Sequence, residues 1–247
     1  KCGNEITKDS PKVFDTKFDP YINSSLKGSK STPVLINYRY DKKRYSKIPD
    51  QNDLDLLTKI DQYKIDNWFP TDKLHIGFNT SQPINSNGIE HIHQFYTKRS
   101  LIILSELFAA APSKFLLTNI LSRNSTKLNR FVVNKHNPKG RINGPLTGTL
   151  YVPSESVEQN PLNLFKDKLP KVNWKLKNAI NQTGSSTDLK NVIDNTIDYI
   201  FVDPPFGANI MYSDLNIINE SWLKVKTNSA KEAIEDKFQY KGFLEYS

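Results

Sequence analysis

The chain has 247 residues, which is enough for one domain with a sizeable hydrophobic core. Its 34 Lys and Arg residues outnumber its 26 Asp and Glu residues, and the resulting net charge of +8 favours a polyanionic partner. A single cysteine excludes a disulfide framework or a complete zinc site within this sequence, and the lack of any long apolar run predicts a cytoplasmic protein with no membrane partner.

The first fifty residues are polar and show little periodicity. Lys1-Cys2-Gly3-Asn4 is similar to the last knuckle of a zinc ribbon, so we interpret residues 1–50 as the end of a zinc-ribbon-like or insertion region. Residues 34–40 form the one convincing strand of this part. The basic cluster Asp41-Lys42-Lys43-Arg44 is interpreted as a solvated hairpin end, with phosphate contact as the alternative.

Apolar residues at helical spacing predict a helix over residues 53–65, capped by Asn52 or Asp53. His91 and His93 lie two residues apart, a spacing that would place both side chains on one face of a strand. Because no third ligand is near in sequence, packing or a polar contact is favoured over metal binding, and we predict no metal site.

The strongest helix prediction covers residues 98–111, with Thr97 as its cap, and a second helix capped by Ser113 follows it. Lys98 and Arg99 stand at the start of the first helix, where positive charge opposes the helix dipole. An anionic partner would explain this placement, so both are predicted nucleic-acid contacts.

A short strand over residues 130–134 precedes a cationic segment, residues 135–145, whose two Gly and two Pro predict a flexible loop. Lys135, Lys139 and Arg141 in this loop are suited to following a phosphate backbone. An exposed connection with solvated charges is the alternative interpretation.

Further along the chain, a strand is predicted over residues 147–152, and one or two short helices within residues 161–180. Residues 199–202 are apolar, β-branched or aromatic, which is typical of a buried strand in a parallel sheet. The strand must end at Asp203-Pro204-Pro205-Phe206, because proline has no N–H to donate.

The chemistry of this turn is specific, because the carboxyl ends of such strands are where ligands bind in open α/β sheets. Asp203 and the carbonyl of Pro204 can accept hydrogen bonds from an amino group, and Phe206 offers a face for stacking a planar ring. Together they describe a pocket for the exocyclic amino group of a flipped base.

Asp203-Pro204-Pro205-Phe206 resembles the catalytic motif of amino-methyltransferases that use S-adenosylmethionine. The longer run over residues 203–216, and residues 88–99, resemble a group of bacterial DNA methylases. The resemblance covers residues 45–247. It implies an α/β fold with a Rossmann-like methyltransferase sheet and helices on its faces, in which residues 51–247 are the catalytic part.

The resemblance also implies a function, which is the methylation of DNA on an exocyclic amino group, in restriction-modification. Adenine is favoured over cytosine because Asp leads the motif. The implied catalytic residues are Asp203, Pro204, Pro205 and Phe206. Asp188 would lie beside the adenine of the cofactor, although it is equally suited to capping a helix over residues 189–193. Tyr212, at the start of a helix predicted after the motif, is a predicted DNA contact.

A Gly-rich turn that follows a strand and opens a helix, as a Rossmann-type cofactor site needs, is missing from the sequence. The sheet is therefore expected to be incomplete, and the partners to include DNA and the missing cofactor-binding part of the parent chain. Two alternatives remain open. One is an RNA or protein-amide methyltransferase of the same fold, and the other is a catalytically inert, basic DNA-binding fragment.

Overall fold

The computed structural model describes residues 14–169, 189–203, 210–229, 232, 234, 235 and 242. Its strands form three separate antiparallel hairpins, each of two strands. The pairs are β1 (Phe14–Asp19) with β2 (Ser24–Ser29), β3 (Ile36–Tyr40) with β4 (Lys43–Lys47), and β5 (Arg130–Asn134) with β6 (Asn137–Asn143).

The predicted mixture of α and β structure is confirmed, but the predicted Rossmann-like sheet is not found among the described residues. Each described strand pairs with its neighbour in sequence through a short turn. A parallel pair needs a crossover connection of about a dozen residues or more, and no strand pair in the described ranges has one.

Six α-helices surround the core of the described part. They are α1 (Gln51–Gln62), α2 (Ser81–Asn87), α3 (Lys98–Ala110), α4 (Phe115–Asn119), α5 (Pro161–Lys168) and α6 (Tyr212–Leu223). A 3₁₀ turn (Ile92–Phe95) precedes α3, and a π-helical turn (Ile120–Asn124) follows α4. No helix in the described ranges is both long and apolar enough to cross a membrane.

The caps of the helices follow from local sequence. The N-cap of α1 is Asp50, and not the predicted Asn52 or Asp53. The Asp50 side chain accepts a hydrogen bond from the Asp53 amide, and the Asp53 side chain accepts one from the Asp50 amide. Thr97 caps α3 as predicted, since its Oγ1 accepts from the Ser100 amide at 3.2 Å.

Several predicted elements are absent. Residues 147–152 form no strand, and Gly148 there takes a left-handed conformation, with a φ of 73°, that interrupts an extended chain. Residues 189–193 form no helix and are exposed. The predicted flexible loop over residues 135–145 is mostly β6, where Gly140 is required because a Cβ atom at this position would lie 2.3 Å from the Phe131 ring.

The core is centred on Trp222 of α6, which is fully buried. Its indole N–H donates to the hydroxyl of Tyr96 at 2.9 Å, and that hydroxyl donates to the carbonyl of Leu121 at 2.5 Å. Trp68 and Phe108 pack against the Trp222 ring, with centroid distances of 6.0 and 5.2 Å. Burial raises the pKa of Tyr96 above its ordinary value, so its hydroxyl keeps the proton that it donates.

Tyr96→Phe should lower the free energy of unfolding by about 1–3 kcal/mol, because it leaves the buried Trp222 N–H and Leu121 carbonyl without their shared partner. Urea unfolding measures this loss. Tyr38→Phe is the matched control, since Tyr38 is exposed, and it should change the stability by less than about 0.5 kcal/mol. Equal effects of the two substitutions would contradict the role given to the Tyr96 hydroxyl.

Candidate nucleic-acid interface and catalytic turn

The segment that leads to Asp203 differs from its prediction. Tyr199, Ile200, Phe201 and Val202 are 80%, 69%, 83% and 71% exposed, and they form no strand. The prediction of a buried parallel strand is therefore wrong for the structure described. A buried strand needs neighbours on both edges for its backbone groups and cover on both faces, and no described strand pairs with this segment.

The predicted catalytic residues are only partly within the described ranges. Asp203 is exposed at the end of the range 189–203. Pro204, Pro205 and Phe206 lie outside the described residues, as does Asp188, the predicted cofactor contact. Their roles stay predictions.

Residues 210 and 211 lead into α6, whose first turn is anchored by Asp214. This carboxylate is almost fully buried, with 2% of it exposed. Its Oδ2 accepts from the amide of Asn79 at 2.8 Å, and the Nε2–H of His75 donates to its Oδ1 at 2.5 Å. A buried carboxylate needs such donors, because an unpaired charge is costly inside a protein.

The loop that receives Asp214 is shaped for it. A Cβ atom added to Gly77 would lie 2.5 Å from Asp214 Oδ1, so any larger residue at position 77 would displace the carboxylate. Residues 75–79 therefore form a cradle that holds the start of α6, nine residues after Asp203. We call this the Asp214 cradle.

Sequence reasoning missed the Asp214 cradle, although Asp214 lies within the run that resembles the methylases. Its partner His75 is 139 residues away, and no local pattern joins them. The one signal in the sequence is Gly77 within a polar loop, which is typical of a close approach between backbone and another group.

Positive charge is concentrated in residues 107–154, which contain no Asp or Glu. This stretch has seven cations, and so supplies most of the net charge of +8. They are Lys114, Arg123, Lys127, Arg130, Lys135, Lys139 and Arg141. Some serve the fold, since the ammonium group of Lys114 caps the carbonyls of Phe108 and Ala111 at the end of α3.

Three of the predicted nucleic-acid contacts lie on the β5–β6 hairpin within this stretch. Lys135 is exposed in its turn, Lys139 lies in β6, and Arg141 is exposed opposite Val132 in the register. Neither Lys135 nor Arg141 forms an ion pair with a residue in the described ranges. The hairpin thus presents cations on a two-stranded ribbon with a register irregularity between Val132 and Asn134, and the prediction of a loop was wrong for the residues of β6.

The other predicted contacts have different surroundings. Lys98 donates to the Tyr21 hydroxyl at 2.7 Å and lies over the Tyr21 ring, and Arg99 pairs with Glu158 at 2.7 Å. The hydrogen bond to Glu158 raises the pKa of Arg99. Tyr212, the first residue of α6, is 42% exposed beside the buried Met211. Lys98 and Arg99 are thus engaged by the protein itself.

His93 lies within the 3₁₀ turn and His91 directly precedes it, so the two are not on a strand as predicted. His93 is buried and contacts Asp19 through Nε2 at 2.7 Å, while His91 contacts the carbonyl of Thr71 at 2.8 Å. Burial lowers the pKa of His93, and Asp19 opposes that shift. Burial likewise lowers the pKa of Lys127 to about 8, and its ammonium group donates to the carbonyl of Gln94. His91 and His93 each have a polar contact within the protein, as the sequence predicted.

A cavity of about 650 Å³ opens beside Trp68 and the end of α6. Lys224 lies over the Trp68 ring, 4.1 Å from its centroid, and Lys226 pairs with Asp72 at 3.3 Å. The cations of this cavity are thus engaged within the protein, and none of the residues predicted from the sequence lines it.

Comparison of the chain with protein-family models, with curated proteins and with solved structures finds no match.

Asp214→Ala should lower the free energy of unfolding by about 1.5–3 kcal/mol, because the His75 and Asn79 donors lose a charged acceptor inside the protein. Asp203→Ala is the control of the same chemistry, and its exposed side chain should leave the stability within about 0.5 kcal/mol. Urea unfolding of both variants measures the difference. If Asp214→Ala is as stable as Asp203→Ala, the cradle does not fix the start of α6.

Proposed function

We propose that this chain carries the catalytic turn of a DNA methyltransferase that acts on an exocyclic amino group, with adenine favoured over cytosine. The observation that carries the proposal is the run over residues 203–216, in which the Asp-Pro-Pro-Phe motif leads into a helix. The anchoring of that helix by Asp214 supports it, because a turn that must orient a base needs a fixed support.

The proposed mechanism is positional. The carboxylate of Asp203 and the carbonyl of Pro204 accept the two N–H bonds of the amino group, and so orient the nitrogen lone pair towards the methyl donor. Phe206 stacks on the flipped base and holds it out of the duplex. S-adenosylmethionine would supply the methyl group, and no covalent intermediate with the protein is needed.

The residues described here do not form a cradle for S-adenosylmethionine. No Gly-rich turn between a strand and a helix occurs in the sequence, and the exposed residues 189–193 follow directly on Asp188. S-adenosylmethionine is proposed as the methyl donor because Asp203-Pro204-Pro205-Phe206 resembles the motif of the amino-methyltransferases that use it.

A second candidate function is DNA binding without catalysis. The acid-free stretch over residues 107–154 and its cationic β5–β6 hairpin favour it, because phosphate contacts by Lys and Arg supply most of non-specific DNA affinity. The exposed segment 199–202 also favours it, since no described strand pairs with that segment, whereas a working methyltransferase needs a sheet there.

Replacement of Lys139 and Arg141 by Ala should weaken binding to DNA duplexes of all sequences alike, because phosphate contacts carry no sequence information. Each lost contact should reduce the slope of log affinity against log salt by about 0.9. Fluorescence anisotropy over a salt series measures both. Lys59→Ala with Lys64→Ala removes the same charge from the exposed surface around α1 and should leave the slope unchanged. An unchanged slope in the hairpin variant would assign those charges to solvated surface.

Asp203→Ala should slow methylation on the order of 10²–10³-fold, the rate that one preorganised polar contact contributes. Phe206→Ala should mainly weaken base capture, because stacking contributes about 1–3 kcal/mol per base, whereas Phe206→Tyr keeps the ring face and should be tolerated. Single-turnover methylation of duplex DNA, with melting curves as the folding control, compares the three variants. Methylation by Asp203→Ala at the parent rate would sink the methyltransferase proposal.

A further inference from the structure

The β3–β4 hairpin stands in solvent on both of its faces. Its residues 37–46 are all exposed, and only Ile36 and Lys47, which pair at the root of the ribbon, are half-buried. The turn residues Asp41 and Lys42 have φ angles of 43° and 62°, as in the tight turns that match the twist of a hairpin. A two-stranded hairpin with no buried face is marginally stable in water, so its exposure on both sides calls for an explanation.

One face of the hairpin carries two cations that do not stabilise the fold. Arg39 and Arg44 lie directly opposite each other in the register, and like charges in that position are destabilising. Neither forms an ion pair with a carboxylate in the described ranges. Beside them the Ser46 hydroxyl donates to Asn37 Oδ1 at 2.7 Å, which completes a face made of hydrogen-bonding groups.

The opposite face stiffens the ribbon. The rings of Tyr38 and Tyr45 stack across the strands, with centroids 5.5 Å apart and planes inclined by 22°. At the base, Lys47 bridges to Asp50 at 3.1 Å and to Asp53 at 2.8 Å, the two residues that cap α1. The hairpin is therefore held at its root and by its stacked tyrosines, while its tip projects away from the protein.

We propose that the β3–β4 hairpin enters the major groove of duplex DNA, with Arg39 and Arg44 directed at base edges. The inference rests on DNA as the partner in the proposed function, but not on methyl transfer. The major groove of B-form DNA is about 12 Å wide and admits a two-stranded ribbon, and Arg pairs with the O6 and N7 atoms of guanine there. Lys42 and Lys43 at the tip are placed to reach phosphates.

The geometry favours duplex DNA over other polyanions. The major groove of A-form RNA is deep and too narrow for side chains to read. A two-stranded ribbon therefore cannot reach base edges in duplex RNA as it can in the major groove of DNA. The negative charge of the DNA phosphates also offsets the repulsion between Arg39 and Arg44. Each guanidinium group gains anionic surroundings that the protein does not provide.

Anisotropy with a labelled 20-base-pair DNA duplex, in the absence of S-adenosylmethionine, tests the inference. Arg39→Ala with Arg44→Ala should reduce the affinity by at least about tenfold, because the variant loses two pairings of Arg with guanine. Lys59→Ala with Lys64→Ala loses the same charge and should reduce the affinity less than twofold. Circular dichroism should show both variants folded, since all four side chains are exposed.

The groove is identified by protection of guanine N7 from dimethyl sulfate, since this atom faces the major groove. The unmodified chain should protect guanines in its binding site, and the Arg39→Ala, Arg44→Ala variant should lose that protection. Undiminished affinity and protection in this variant would overturn the inference while leaving the Asp203 mechanism intact. Equal binding to duplex RNA, or an equal effect of the variant on binding to phosphatidylserine vesicles, would also overturn it.

Discussion

The hydrogen-bond chain from Trp222 through Tyr96 to Leu121 fixes the position of α6, and the catalytic proposal depends on that helix. Asp214, Ile218 and Trp222 are four residues apart, so they lie along one face of α6, and all three are buried. Trp222, at one end of this buried face, packs in the aromatic core, and Asp214, at the other end, binds in the Asp214 cradle. The start of α6, six residues after Phe206 in the sequence, is thereby held in place.

The charges of the protein divide into those that the fold uses and those that it does not. Lys114, Lys98 and Arg99 satisfy carbonyls, a hydroxyl or a carboxylate of the same chain, so their charge is largely committed. Arg39 and Arg44, by contrast, face each other on an open ribbon, at a cost to the hairpin. Arg39 and Arg44 are thus uncommitted cations on a hairpin, and a two-stranded ribbon has a shape that the major groove of DNA admits.

An element of the structure could be predicted from the sequence when the residues that determine it lie within one short segment. The spacing of Leu101, Leu104 and Ser105 was sufficient to find α3, because helical periodicity lies within one segment. β5 was predicted as a strand, but β6 was taken for a loop, since Gly140 suggests irregular chain unless its contact with Phe131 is known. The Asp214 cradle joins residues 139 positions apart, so only the folded structure shows it.

The apolar run over residues 199–202 shows why composition alone misled. Four consecutive apolar residues are typical of a strand covered on both faces, but the covering elements must come from elsewhere in the fold. In the described structure this cover is absent, although burying each such side chain would contribute about 1.5–3 kcal/mol.

The two proposals therefore depend on different constraints. Groove binding needs only a ribbon that is stiff and held at its root, and the stacked tyrosines and the Lys47 bridges to α1 provide both. Positional catalysis needs Asp203 to be held far more closely, because a misplacement of about 1 Å can cost on the order of 100-fold in rate. Within the described ranges no hydrogen bond restrains the Asp203 side chain, whereas two donors restrain Asp214 eleven residues later. A catalytic Asp203 therefore requires cover for residues 199–202, since burial of that run is what would give the turn the rigidity that α6 already has.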